Sequence, residues 1–182
     1  MAKSRYAALL RGINVGGKNI IPMVTLRESF EAMGFTDVAT YIQSGNVVLS
    51  ANALDKGKLT RKIETTLTKT FGYASKIVLV SDRELERVVR EAPPTFGTYP
   101  ARYRYDVLFV IEPLTTAELL AHVTTTPGVD EVHGGEHALY FRRLLARATQ
   151  SRLARIVGLP VYQSLTIRNW NTTTKLLALL RR

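Results

Sequence analysis

Nine consecutive residues, Arg11-Gly12-Ile13-Asn14-Val15-Gly16-Gly17-Lys18-Asn19, hold three glycines, two side-chain amides and two cations. Glycine lets backbone amides approach a ligand closely and point the same way. With Arg11 and Lys18 beside them, Asn14, Gly16 and Gly17 have the make-up of an anion-binding loop, phosphate above all. The letters come within one residue of a P-loop: Gly12, four residues, Gly17, Lys18, then Asn19 where a Mg²⁺-ligating Ser or Thr would stand. Ile20-Ile21-Pro22 also separates Lys18 from the next helical pattern. Both departures weigh against a P-loop nucleoside triphosphatase. They leave a glycine-rich anion loop of another kind, or a plain connection whose glycines serve tight turns.

Two further segments carry polar chemistry. Gln43-Ser44-Gly45-Asn46 sits between two apolar runs and offers amides and a hydroxyl, although turn formation alone accounts for Ser44, Gly45 and Asn46. Thr166-Ile167-Arg168-Asn169-Trp170-Asn171-Thr172-Thr173 surrounds the only tryptophan with an arginine, two asparagines and three threonines. Arg168 can neutralise an anion, Asn169 can cap a helix that receives one, and Trp170 can stack on a ring. The structural alternative is helix capping around one buried ring.

Other chemistries are poorly supplied. The chain has no cysteine, which removes disulfides, thiolate metal sites and a cysteine nucleophile. His133-Gly134-Gly135-Glu136-His137 matches the letters of a zinc-protease motif, but that motif needs a helix, and two glycines between β-like runs make a hairpin turn. No metal and no cofactor is expected. Ser44 lacks the strand-to-helix elbow of a hydrolase nucleophile. No catalytic residue is assigned; Asp106 and Glu112 are the nearest carboxylates for a general base.

The elements that must position these residues follow from periodicity. Tyr6–Arg11, Val38–Gln43, Val47–Ser50 and Ile77–Val80 read as strands. Thr25-Leu26-Arg27-Glu28 has capping-box spacing and opens a helix, and Leu59, Ile63, Leu67 and Phe71 mark a second that Gly72 closes. Ser81-Asp82-Arg83-Glu84 opens a third. After Ala92-Pro93-Pro94 the order repeats: a strand at Tyr105–Ile111, a helix behind Thr115-Thr116-Ala117-Glu118, a hairpin from Val129 to Phe141, a helix through Leu153, Ile156 and Val157, a strand at Leu165–Ile167 and a final helix. Strand–helix–strand–strand–helix–strand, twice, is the α+β order of two ferredoxin-like (α-β plait) subdomains with an additional helix in each half. The division is expected at residues 1–93 and 94–182.

A chain of 182 residues can bury a core in each half. The formal net charge is +10, shared as +5 on residues 1–95 and +5 on 96–182, and no acidic residue follows Glu136. Such a surface suits nucleic acid, nucleotides or acidic metabolites, or simply keeps the protein dissolved. The third-strand aromatics of an RNA-recognition motif are missing from Val47-Val48-Leu49-Ser50. No apolar run has the length of a membrane span, and Tyr6–Leu10 is too short for a signal-peptide core, so a cytoplasmic, unprocessed protein without membrane partners is expected.

Ala8 to Asn19, Tyr41-Ile42-Gln43-Ser44-Gly45-Asn46-Val47-Val48 and Arg168-Asn169-Trp170-Asn171-Thr172 together resemble the bacterial family of domain of unknown function 1697. Ile167 stands where that family usually has threonine. The resemblance runs from the first strand to the final helix and implies two α-β plait subdomains. It implies no activity, substrate or catalytic residue.

The leading expectation is a binding protein for a phosphorylated or nucleotide-like anion, nucleic acid included, held in a basic cleft between two plait subdomains. Arg11, Asn14, Gly16, Gly17, Lys18, Gln43, Ser44, Asn46, Arg168, Asn169 and Trp170 are its candidate ligand-binding residues. One alternative is an enzyme acting on an anionic small molecule by positioning and electrostatics. The other is a purely structural role for all three segments. Oligomeric state does not follow from the sequence.

Overall fold

The computed structural model describes residues 3–52 and 55–182. Its first half runs β1 (Lys3–Leu10), α1 (Met23–Ala32), β2 (Thr36–Tyr41), β3 (Asn46–Asn52), α2 (Lys56–Phe71), β4 (Ile77–Ser81) and α3 (Asp82–Arg90). The second runs β5 (Tyr103–Val110), α4 (Thr116–His122), β6 (Asp130–Gly134), β7 (Ala138–Leu144), three 3₁₀ turns, β8 (Leu165–Asn169) and α5 (Trp170–Leu180). The two sheets have strand orders β2-β3-β1-β4 and β6-β7-β5-β8, with every neighbour antiparallel. Each is therefore the four-stranded sheet of a ferredoxin-like plait, as the element order implied.

Local sequence explains most boundaries. In α2 the apolar residues Leu59, Ile63 and Leu67 repeat at helical spacing and are buried, Asp55 accepts the Lys58 N–H (3.0 Å), and Gly72 ends the helix at φ +70°. Thr115 and Glu118 form a reciprocal capping box on α4. Gly134-Gly135 turns the β6–β7 hairpin, as the two glycines between β-like runs implied, so the zinc-protease letters do not lie on a helix.

Two local expectations differ. The first helix begins at Met23, behind an extended Pro22 at φ −60°, and Thr25 lies within its first turn. Pro22 has no N–H to satisfy, so the helix starts directly after it. The stretch expected as a helix through Leu153, Ile156 and Val157 is a 3₁₀ turn, Leu153–Gly158, preceded by Leu145–Gln150 and followed by Pro160–Ser164. Gly158 and Pro160 stop it before a second α-helical turn can add its hydrogen bonds.

Packing divides the chain into two compact units: the described residues up to Arg83 with Leu176–Arg182, and Glu84–Lys175. The boundary falls one helix before the proline-rich 92–94 segment, because α3 belongs largely to the second unit. Leu85 and Val88 of α3 are buried, and the Val88 carbonyl accepts the Tyr140 hydroxyl (2.7 Å). In the first unit Ala8, Leu10, Val47, Leu49 and Leu79 form one sheet face against Leu26, Phe30, Ile63 and Leu67. In the second, Leu108, Leu139, Phe141 and Leu165 meet Leu119, Leu153 and Ile156.

Candidate functional site

In the first unit the loop after β1 and the turn before β3 are built against each other. Asn14 stands at φ +53°, and its side-chain amide donates to Ile21 O (3.0 Å) and Gln43 O (2.8 Å) and accepts from Ile21 N (2.7 Å). Asn19 Nδ2 closes the loop on Gly12 O (2.9 Å), and Val15 pairs with Lys18 across its tip. Gly45 accepts the Leu10 N–H (2.8 Å) and lets Ile13 under the turn; a Cβ there would sit 2.6 Å from Ile13 Cδ1. Asn46, fully buried, donates to Tyr41 O and Ser44 Oγ, both at 3.0 Å.

Ile42 lies between those two grips. Asn46 holds the carbonyl before it and Asn14 the carbonyl after it, and Ile42 itself stands at φ +49° and is 48% exposed. A β-branched residue in the left-handed region is strained and persists only where its surroundings over-determine it. So Asn14, Gln43, Ser44 and Asn46 are brought together, but the amides of Asn14 and Asn46 are committed to backbone carbonyls. Lys18, Gly16 and Gly17 lie exposed at the tip, the Gln43 side chain is exposed, and Arg11 is half-buried.

Arg168, Asn169 and Trp170 lie in the second unit. Arg168 is 7% exposed and donates to Thr166 Oγ1 (2.8 Å) and Ile167 O (2.9 Å). Burial disfavours its charge and draws its pKa down to about 10, so it remains a cation at neutral pH. Asn169 caps α5: its Oδ1 accepts the Asn171 N–H (3.0 Å) and its Nδ2 donates to Tyr105 O (3.0 Å).

The β5–β8 ladder ends at Asp106 opposite Asn169, so residues 103–105 of the central strand have no main-chain ladder partner in β8. A pocket of about 200 Å³ opens there, lined by Tyr103, Arg104, Asn169, Trp170 and Asn171 together with Gly97 and Pro100. Trp170 meets Phe96 edge to face at 5.2 Å, and Phe96 in turn meets Tyr105 (4.9 Å) and Tyr140 (5.6 Å). Gly97, at φ +89°, passes against the indole so closely that a Cβ would overlap Nε1 and Cδ1. Tyr103 carries the Arg142 guanidinium over its ring at 4.4 Å.

The cation of this pocket is Arg104. Its Nε lies 3.1 and 3.2 Å from the two oxygens of Asp106, which is 2% exposed, whereas half of the arginine side chain is in solvent. The carboxylate thus fixes the guanidinium and leaves its terminal nitrogens for another acceptor. Burial raises the Asp106 pKa, and the Arg104 charge opposes that shift. Of the eleven residues singled out from sequence, Asn169 and Trp170 line the pocket; Tyr103, Arg104 and Gly97 were missed. The readable signal was Arg104-Tyr105-Asp106, two opposite charges on one face of a strand.

Known proteins are consistent with this architecture. A family model described as "Protein of unknown function (DUF1697)" matches residues 3–140. The solved structure of a conserved bacterial protein, SP0830 from Streptococcus pneumoniae, is similar with a TM-score of 0.86 and 28% sequence identity, covering 98% of this chain and 99% of that one. No curated protein matches the chain. No helix among the described residues is long and apolar enough to cross a membrane.

Proposed function

We propose that this chain, which belongs to the DUF1697 family of proteins of unknown function, is a binding protein for a nucleotide-like anion, received at the Trp170 pocket of the second unit. The observation that carries the reading is one aromatic and one cationic wall around the same opening: Trp170 and Tyr103 beside Arg104, whose free nitrogens are aimed by buried Asp106. A flat ring stacks on Trp170, and a phosphate or carboxylate takes the guanidinium. At about 200 Å³ the pocket is smaller than the roughly 300–1,000 Å³ that encloses a drug-sized ligand. It holds one ring or one anionic group and leaves the rest of the ligand in solvent, which admits the end of an oligonucleotide. The α5 N-terminus contributes less than its position suggests, because Asn169 already takes one of its amides.

The test is a titration of Trp170 fluorescence, the only tryptophan signal in the chain, with nucleoside monophosphates, short oligonucleotides and inorganic phosphate. Saturable quenching that Arg104→Gln weakens by tenfold or more supports the site. An oligonucleotide arm whose affinity falls steeply with salt identifies nucleic acid as the ligand. A flat response to every probe removes the reading.

A second reading draws on a specific observation: Asn14, Asn46 and Asn169 each direct a side-chain amide to a main-chain carbonyl. On that reading the signature segments are framework alone. It predicts a large loss of stability on their replacement with no ligand response in the intact protein.

A further inference from the structure

We infer that the second unit holds another ligand site, for a small amphiphilic carboxylate, in the pocket between the end of α4 and the 3₁₀ turn Leu153–Gly158. The pocket measures about 190 Å³. Its floor is apolar, Val123, Leu153 and Ile156, with Leu159 at the lip. Its rim carries Arg152 and Arg155, with His122 at the last position of α4.

The duplicated fold explains why the opening exists. In the first unit the sheet face beside α1 is covered by α2, sixteen residues long, and Lys62 of α2 donates to Met33 O (2.6 Å) just past the end of α1. The corresponding connection in the second unit is three 3₁₀ turns of six, six and five residues. A short 3₁₀ turn cannot lay a continuous apolar stripe along a sheet. The surface past Val123, the residue that ends α4, is left open, with Leu153 and Ile156 at the bottom and Leu159 at the lip.

The main chain that carries Arg152 is fixed, and both guanidinium groups are available. Arg152 is anchored by its main chain, whose N–H donates to Asp130 Oδ2 (2.8 Å), and Asp130 also takes the Thr126 N–H (3.0 Å). Among the described residues neither the Arg152 nor the Arg155 guanidinium has a hydrogen-bond or ion-pair partner. Two available guanidinium groups over an apolar floor complement a ligand with one anionic head and a short hydrocarbon tail. The tail enters the floor and the carboxylate stays at the rim.

The experiment is calorimetric titration of the full chain with straight-chain carboxylic acids of four to ten carbons and with alcohols of the same lengths. Affinity for the acids should rise roughly three- to fourfold per methylene until the pocket is full, then level off. The alcohols should bind at least about tenfold more weakly, as expected on losing a charge-assisted bond. The double variant Arg152→Gln/Arg155→Gln, at the rim, should erase that difference and keep the dependence on tail length. Leu159→Trp, at the lip, should shorten the length at which affinity levels off. The inference is overturned if no acid binds saturably, if tail length has no effect, or if the double variant keeps the preference for acid over alcohol. Binding of an acidic peptide or an anionic vesicle without binding of the free acids would also overturn it, because the face would then be a docking surface.

Discussion

Replacing Gly97 with alanine is expected to cost about 3 kcal/mol of folding stability and to displace Trp170. Two terms add. Gly97 stands at φ +89°, and a Cβ in a left-handed conformation costs roughly 1–2 kcal/mol. The same Cβ would overlap Nε1 and Cδ1 of the indole and lie 3.3 Å from Cε2, an overpacking that costs roughly 1–3 kcal/mol. For a chain of this size the sum corresponds to a drop in Tm of about 6–12 °C. The ring has to swing off Phe96, so the emission maximum should shift red as the indole meets water. Chemical denaturation followed by circular dichroism gives the stability, and the emission spectrum reports the ring. Trp170→Ala supplies the control: in its background Gly97→Ala should cost only the backbone term, about 1–2 kcal/mol. Equal cost in both backgrounds would show that the indole is not what Gly97 accommodates, and the pocket wall would have to be redrawn.

Asn14→Ala should lower stability by about 2 kcal/mol, since three hydrogen bonds of roughly 1 kcal/mol each are lost at a half-buried site. Asn14→Asp keeps the acceptor for Ile21 N and loses both donors, so denaturation should place it near the alanine variant; wild-type stability for either would contradict the clamp. For Asp106 the sign follows from burial, which raises its pKa above the ordinary 3.8 against the pull of Arg104. The folded state then holds the proton more tightly than the unfolded chain, so this group stabilises below about pH 4 and its contribution disappears as pH rises through the folded value. Asp106→Asn should flatten the fall in stability just above pH 4, measured by denaturation across the acid range; an unchanged slope would refute the assignment.

Periodicity made the architecture readable. Leu59, Ile63 and Leu67 at helical spacing, the Thr115–Glu118 box and the Gly134-Gly135 turn each specify a local state that the folded chain keeps, and their order dictates the plait. Leu153, Ile156 and Val157 have the spacing of a helix where the folded chain makes a 3₁₀ turn; only Gly158 and Pro160 hint that it stops early. Trp170 and Asn169 stand out in the sequence by side-chain type, being the rare ring and a capping amide. Arg104 does not, because its place in the pocket depends on where the β5–β8 ladder ends, and that is decided by tertiary pairing. Asn14 and Asn46 look like ligand amides in sequence, and nothing in their spacing announces that the main-chain carbonyls of Ile21, Gln43 and Tyr41 would claim them.

That claim also bears on how the first sheet is assembled. β1 and β3 pair with Leu9 opposite Asn46, and this register delivers Gly45 to Ile13 and the Gln43 carbonyl to Asn14. A slip of one residue would bring a side chain against Ile13 and carry that carbonyl away from the amide. The glycine-rich loop closes only over a correctly aligned pair of strands, so its contacts penalise every other register.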